Sequence, residues 1–330
     1  MKTLLQVRNL SIGIQKRACV LRAVEDVSFD VREEEIVGIV GESGSGKSLT
    51  ALAIAGLLGD GKETSGEILY CGKNLLRLGE KEFIRIRGKE ISMIFQEPFS
   101  SLNPLMKVGA QIAETLEIHG ETDKALVTRK TIELMGKLGL DEKIAGAYPH
   151  QLSGGMCQRA MIALAAICRP RLLIADEPTT ALDYAAQSHI LGLMKEINRE
   201  MGTSIIFISH DLSLVKKFCS RVAVMYAGRI LEEGSAEEFF SHPAHEYTRG
   251  LLASIPDGTA KGTDLAAIPG KVPSLEEGRP SGCPFHPRCA KAMPQCAQEF
   301  PAARTVRASR IGGGAGGDAH TTRCILWEGA

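Results

Sequence analysis

The chain has 330 residues, 44% of them apolar and 24% charged, enough to bury a sizeable core and, by length, to form about two domains. Lysine plus arginine and aspartate plus glutamate both number 39, so nothing indicates a dominant electrostatic grip on nucleic acid. No apolar run approaches the roughly 18 to 20 residues of a membrane span, and residues 1–15 lack the apolar core of a secretion signal. The expectation is a cytoplasmic protein that meets a membrane only through a partner.

In chain order, residues 2–40 alternate apolar and polar, which predicts short, partly antiparallel strands feeding a glycine-rich loop at 41–48. Two further strands are expected at 67–70 and 91–95. From Val108 to Leu138 the apolar residues recur at helical spacing, and this block ends at the turn Tyr148-Pro149-His150. A helix then starts at Ser153, a good N-cap, and runs until Pro170 stops it. Strand 172–175, helix 184–199 and strand 204–209 follow, an alternation that signals a mostly parallel sheet covered by helices, hence an α/β fold. Segments 221–226 and 229–232 flank Ala227-Gly228 as a closing hairpin. Beyond about residue 240, Pro256, Gly258, Gly262, Pro269, Gly270 and Pro273 mark an irregular linker, and residues 312–317 a flexible loop.

The loop reads Gly41-Glu42-Ser43-Gly44-Ser45-Gly46-Lys47-Ser48 and fits G-x-x-x-x-G-K-[ST]. Glycines let successive N–H groups turn inward around a polyphosphate, and the helix that starts here adds its positive end. Lys47 can reach the β and γ phosphates, and the Ser48 hydroxyl can hold Mg²⁺. A second motif, Leu172-Leu173-Ile174-Ala175-Asp176-Glu177, ends an apolar strand in two acids. Asp176 suits the Mg²⁺ and Glu177 the polarising of an attacking water; the alternative is that the two acids cap the next helix. Leu152-Ser153-Gly154-Gly155-Met156 is either a plain N-cap or another anion-binding helix start. One phosphate chain needs only one cradle, so the second reading suits a nucleotide held by another copy or by a partner.

These three motifs, in this order, resemble the ATP-binding cassette (ABC) ATPases. Gln96 after strand 91–95, Ala181-Leu182-Asp183 after the acidic pair and His210 after strand 204–209 extend the resemblance over residues 1 to about 240. It implies a P-loop fold of ABC type with an antiparallel β subdomain, a helical subdomain at about 97–170, and a small Cys-rich extension at 241–330. Gly41, Ser43, Gly44, Ser45, Gly46, Lys47, Ser48, Leu49 and Gln96 would bind ATP; Ser48, Gln96 and Asp176 would serve Mg²⁺. Glu177 would be the catalytic base and His210 would contact the γ-phosphate. Leu152, Ser153, Gly154, Gly155 and Met156 would bind ATP held mainly by an opposing subunit, with Asp183 where the two subunits meet. In two respects the chain departs from the family. Residues 11–22 contain no aromatic side chain to stack on adenine, leaving Ile14 or a neighbour to give apolar contact, and Cys157 stands where many relatives carry Arg or Lys.

Narrower matches point to the oligopeptide, dipeptide and nickel importer group, and within it to the D-type subunit of dipeptide importers. They are the runs at 96–104 and 175–183 and His245-Glu246-Tyr247-Thr248 with Leu251-Leu252. The resemblance implies peptide import across the cytoplasmic membrane, with the chain peripheral on the cytoplasmic side of the inner membrane. Its partners would be a second, paralogous ATPase, two transmembrane permeases that dock on the helical block 97–150, and an extracytoplasmic binding protein. A nickel or metallophore importer keeps the same chemistry; a soluble cassette ATPase of translation or DNA repair lacks support, since neither a second cassette nor a long coiled coil is present.

Of nine cysteines, Cys19, Cys71, Cys157, Cys168 and Cys219 are scattered and read as small buried residues. Cys283, Cys289, Cys296 and Cys324 crowd the tail, and four sulfur donors suit Zn²⁺ or an iron–sulfur cluster. Gly282-Cys283-Pro284-Phe285 and Pro287-Arg288-Cys289 resemble the importer group's C-terminal extension, in which some members carry a four-iron cluster. A [4Fe–4S] centre is therefore implied, with Zn²⁺, or unmetallated thiols or disulfides, as the alternatives.

Overall fold

The structure, a computed structural model, describes residues 2–16, 19–180, 182–255, 267–306 and 319–327. Ala181, Pro256, Gly258, Gly262 and the loop at 312–317, all noted in the sequence, lie outside the described residues. Two sheets organise the chain. The first joins β1 (Thr3–Lys16), β2 (Cys19–Arg32), β4 (Lys62–Tyr70) and β5 (Lys73–Asn74) in the order β2-β1-β4-β5, antiparallel throughout. Where the alternation predicts short strands, β1 and β2 run for 14 residues each. Register shifts absorb the breaks in the pattern: Asn9 and Asp26 take φ of 48° and 52°, and Asn9 Nδ2 donates to Asp26 Oδ1 at 2.6 Å.

The second sheet holds β3 (Ile36–Val40), β6 (Ile91–Ile94), β7 (Leu172–Asp176), β8 (Ser204–Ser209), β9 (Arg221–Tyr226) and β10 (Arg229–Ser235). Two tail strands, β11 (Arg304–Thr305) and β12 (Thr321–Thr322), extend it to the order β11-β12-β10-β9-β3-β8-β7-β6. From β9 to β6 the pairing is parallel. Those strands are buried on both faces, which is why they read as unbroken apolar runs. Ile205 and Phe207 of β8 join a core shared with the helices, while Ile206 and Ile208 face a second core between the two sheets.

The helices follow the sequence's period with adjusted ends. They are α1 (Lys47–Ile54), α2 (Glu80–Phe83), α3 (Pro98–Ser101), α4 (Val108–Ile118), α5 (Lys124–Lys137), α6 (Gly154–Ala166), α7 (Tyr184–Met201), α8 (Leu212–Phe218), α9 (Ala236–Ser241) and α10 (Glu246–Ala253). The block at 108–138 divides because Gly120 takes φ 97° and Asp123 accepts from Ala125 N–H at 2.9 Å to cap a new helix. The helix expected to reach Pro170 ends at Ala166, and Arg169, with φ 51°, turns the chain into β7. Two scattered cysteines, Cys19 and Cys71, are exposed rather than buried, for they sit at strand ends, Cys71 with φ 47° in the turn from β4 to β5.

Arg221 joins the two sheets. Its side chain, 4% exposed, donates to Glu35 Oε1 at 3.0 Å, Glu233 Oε1 at 2.5 Å and Asp30 Oδ1 at 3.3 Å. Burial pushes the Glu233 carboxyl pKa up, and Arg221 is the main force opposing that rise. Arg221→Ala leaves the largely buried Glu35 and Glu233 without this counter-charge; a loss of about 3–5 kcal/mol is expected, read as a lower unfolding midpoint in a thermal melt.

Candidate functional site

The site is built on the carboxyl edge of the parallel strands. Val40 of β3 pairs with Ser209 of β8, and Asp176 of β7 with Ile208, so the residues that follow them leave the sheet side by side. Gly41 opens the loop with φ 148°, where a Cβ would lie 2.1 Å from the carbonyl oxygen of Met225. Gly46, at φ 98°, is the left-handed N-cap of α1. Lys47 begins that helix and is 5% exposed. Its Nζ curls back over the loop to donate to the carbonyls of Gly41 at 2.8 Å and Glu42 at 2.9 Å. Burial lowers the Lys47 pKa, against which Glu177, Asp176 and Glu42 favour its charge.

Asp176 is 5% exposed at the end of β7. Burial raises its pKa; a hydrogen bond with the Ser48 side chain opposes this, Glu177 adds to it, and Lys47 opposes it. Asp176 Oδ1 is buried with no hydrogen-bond partner. A desolvated, unpartnered carboxylate oxygen beside a serine hydroxyl and an anion-binding loop fits a hard divalent cation such as Mg²⁺.

Glu177 stands next to it with φ 48°, an uncommon backbone for a residue other than glycine. Its carboxylate is held from three sides: Gln96 Nε2 at 3.2 Å, Thr180 Oγ1 at 3.0 Å and His210 Nδ1 at 3.2 Å. Gln96 follows β6 and His210 follows β8, so residues from three strand ends meet at one carboxylate. Thr180 carries no distinctive signal in the sequence, since a hydroxyl three residues beyond an acid is common.

Ser153 caps α6, accepting from Met156 N–H at 3.4 Å, and the hydrogen bonds of residues 152–156 stay within that helix and the turn leading into it. Leu152 is buried beneath this tip, and a Cβ on Gly155 would meet nothing within 4 Å. Among the described residues the tip is thus not joined to the loop at 41–48. Asp183 caps α7 by accepting from Ala186 N–H at 2.8 Å. Leu49 packs against the core between the sheets. Ser43 and Gly44 line the open rim of the loop, and a cleft beside Gly44 is walled by Val20, Leu21 and Ala23 on one side and Leu275 and Arg279 on the other. Ile14 pairs with Leu21 in the sheet but does not line this cleft. Arg279 fastens the tail there by donating to the Ala227 carbonyl at 2.6 Å and by an ion pair with Glu25.

In the tail, Cys283, Cys289, Cys296 and Cys324 all line one cavity, together with His245 and Phe285. The Cys283 N–H donates to the Cys296 carbonyl at 2.8 Å, closing the segment, and all four thiols are unpaired. Burial, reinforced by the neighbouring thiols, pushes the Cys283 pKa up to about 11. His245 is buried, with Nε2 3.9 Å from Cys283 Sγ, and burial holds its pKa down at about 4. Among the described residues, however, no group of three or more His, Cys, Asp or Glu side chains is arranged to hold a metal ion. The implied [4Fe–4S] centre goes beyond this geometry: what the structure holds is four convergent free thiols.

Comparison with known proteins agrees with this architecture. The family model for the ABC transporter matches residues 24–180, and that for the oligopeptide/dipeptide transporter C-terminal region matches residues 231–296. The oligopeptide transport ATP-binding protein OppD of Haemophilus influenzae is 47% identical over 90% of this chain and 92% of its own length. The dipeptide transport ATP-binding protein DppD of Bacillus subtilis is 43% identical over 99% of this chain and 96% of its own. Among solved structures, the dimeric post-hydrolysis state of the ATP-binding cassette MJ0796 bound to ADP and Pi superposes with a TM-score of 0.65 at 28% identity, covering 71% of this chain and 99% of that one. Sequence, fold and site together make the chain a member of the ABC transporter family of ATPases, in the group that carries the oligopeptide/dipeptide transporter C-terminal region.

Proposed function

We propose that the chain is the ATP-hydrolysing subunit of an importer that takes up dipeptides or oligopeptides. The observation that carries the hydrolytic role is Glu177, held by Gln96 and His210 beside the unpartnered Asp176 oxygen and the buried Lys47; the peptide cargo is supported by the relatives' names. In this reading the amides of Gly41, Ser43, Gly44, Ser45, Gly46, Lys47, Ser48 and Leu49 cradle the phosphates, and Lys47 exchanges its loop carbonyls for phosphate oxygens. Ser48, Asp176 and Gln96 hold Mg²⁺, which when bound would neutralise charge on the transferring phosphoryl group. Glu177 accepts the proton of the attacking water, with its carboxylate aimed by Thr180 and Gln96, and His210 reaches the γ-phosphate. The purine base seats against Val20, Leu21 and Leu275 in the cleft beside Gly44, apolar contact replacing an aromatic stack.

The outward-facing tip at Leu152, Ser153, Gly154, Gly155 and Met156 then serves ATP held by a second ATPase subunit, a paralogue, with Asp183 at their junction. The relatives are named as ATP-binding proteins of oligopeptide and dipeptide transport; in the proposed reading the chain works with two permease partners and an extracytoplasmic binding protein, seated on the cytoplasmic side of the inner membrane. Among the described residues no helix is long and apolar enough to cross a membrane. Phe99 and Leu105, 50% and 85% exposed, support the block 97–150 as the face that receives the permease. We place the division between ATPase and extension near residue 240, with the helical subdomain at about 97–170. We also read the four tail thiols as the ligands of a [4Fe–4S] cluster, with Zn²⁺ as the alternative soft-ligand occupant.

Glu177→Gln should keep MgATP binding while lowering turnover by about 10²–10⁴-fold; turnover equal to wild type in a phosphate-release assay removes Glu177 as the base. Lys47→Ala should instead raise the Kd for MgATP itself, measured by calorimetry. For the tail, anaerobic purification followed by iron, acid-labile sulfide and zinc analysis should return iron and sulfide in equal amounts. Colourless protein free of iron refutes the cluster, and zinc alone transfers the site to Zn²⁺.

A further inference from the structure

The tail grips the phosphate loop at Glu42, whose carboxylate meets Arg288. Arg288 lies on the one-turn helix His286–Arg288, between Cys283 and Cys289, and its side chain is 6% exposed. Nη1 donates to Glu42 Oε2 at 2.7 Å and Nη2 to Glu42 Oε1 at 3.1 Å, the paired geometry in which a guanidinium holds a carboxylate best. Around this pair the packing is tight. Arg288 Nη1 reaches Tyr226 Oη at 3.3 Å, Nε donates to the Pro269 carbonyl at 2.8 Å, and the guanidinium sits over the rings of Tyr226 and Phe285 at 5.7 and 6.0 Å.

Glu42 is the second residue of the phosphate loop, and its backbone is held as firmly as its side chain. Its N–H donates to Tyr247 Oη at 3.0 Å, and its carbonyl accepts from Lys47 Nζ at 2.9 Å. The carboxylate also acts on Lys47, favouring the lysine's charge. Two physical consequences point the same way. An unneutralised Glu42 would repel a polyphosphate and compete for Lys47, and Arg288 cancels that charge. A loop rich in glycine must be ordered to bind, and an anchor that orders it beforehand strengthens binding.

We propose that Arg288 is a positioning residue for nucleotide binding: by neutralising and anchoring Glu42 it holds the phosphate loop in its phosphate-accepting shape and makes the cysteine-bearing segment part of the nucleotide site. The inference rests on the nucleotide reading above. Linkage requires the coupling to run both ways, so nucleotide on the loop must in turn steady the segment around Arg288.

The experiment is a double-variant cycle on the full chain, read by the Kd for MgATP, with amide hydrogen exchange over residues 282–289 as a second readout. Arg288→Gln should raise the Kd about tenfold, yet add nothing further in a Glu42→Gln background, because Glu42 is the residue through which it acts. MgATP should slow exchange over 282–289 in wild type and in neither single variant. An unchanged Kd in Arg288→Gln, or an equal loss with and without Glu42, overturns the role. Should Arg288→Gln fail to fold, Glu42→Gln, altered at a partly exposed carboxylate, carries the test through exchange alone: protection lost supports the coupling, protection kept overturns it. A wild-type chain that binds no MgATP overturns the nucleotide reading itself, whereas binding with unchanged variants overturns only the part given to Arg288.

Discussion

The register of the parallel strands is the constraint on which the site depends. Ile94 pairs with Ala175, Asp176 with Ile208 and Val40 with Ser209, so β6, β7, β8 and β3 finish within a residue or so of one another. The residues beyond these ends, Gln96, Glu177, His210 and Gly41, therefore emerge along one edge although the chain visits them far apart. Ligand sites collect at the carboxyl ends of such sheets because backbone N–H groups and side chains can converge there without breaking the ladder. Slipping any one strand by a residue would misplace its terminal residue and swap the side chains fitted into the two cores, so packing on both faces favours this alignment.

Charges within that edge are placed at some cost. Lys47 and Asp176 are each about nine-tenths or more buried, and burial works against the charge of both. Lys47 is compensated by two loop carbonyls and by nearby carboxylates. Asp176 keeps one oxygen without a partner, while the left-handed backbone of Glu177 turns its side chain toward Gln96 and His210. A left-handed backbone at Glu177 directly beside an unpartnered oxygen on Asp176 is what a preorganised site looks like.

The tail is not an appendage. β12 pairs with β10, placing Thr322 opposite Glu232, and His320 Nε2 lies 2.7 Å from Glu232 Oε1 in a fully buried pair. Glu232 also accepts from the N–H groups of Ala244 and His245, so one buried carboxylate organises the start of α10 and the end of the tail. Arg279 and Arg288 then bring the same tail back onto the first sheet and the phosphate loop. The tail holds its place both by packing Cys283, Phe285 and Cys296 into the main apolar core and by ion pairs from Arg279 and Arg288 to the larger neighbour.

Much of this was legible from residues alone. Gly41, Gly46, Lys47 and Ser48 carry a spacing that suits a polyphosphate, and unbroken apolar runs announce buried parallel strands because a two-sided face leaves little room for polar residues. Asp176 and Glu177 were identifiable from their place at a strand end, and the four tail cysteines from their crowding. Helix ends at 118–124 and 166, and the length of β1 and β2, were not, since caps and bulges depend on single left-handed residues such as Asn9 and Arg169. Nor could sequence reveal that Glu42 and Arg288, 246 positions apart, share a partly buried ion pair. Local chemistry writes motifs into neighbouring residues; a contact between distant ones exists only once the whole chain has closed around its core, and that the tertiary structure alone decided.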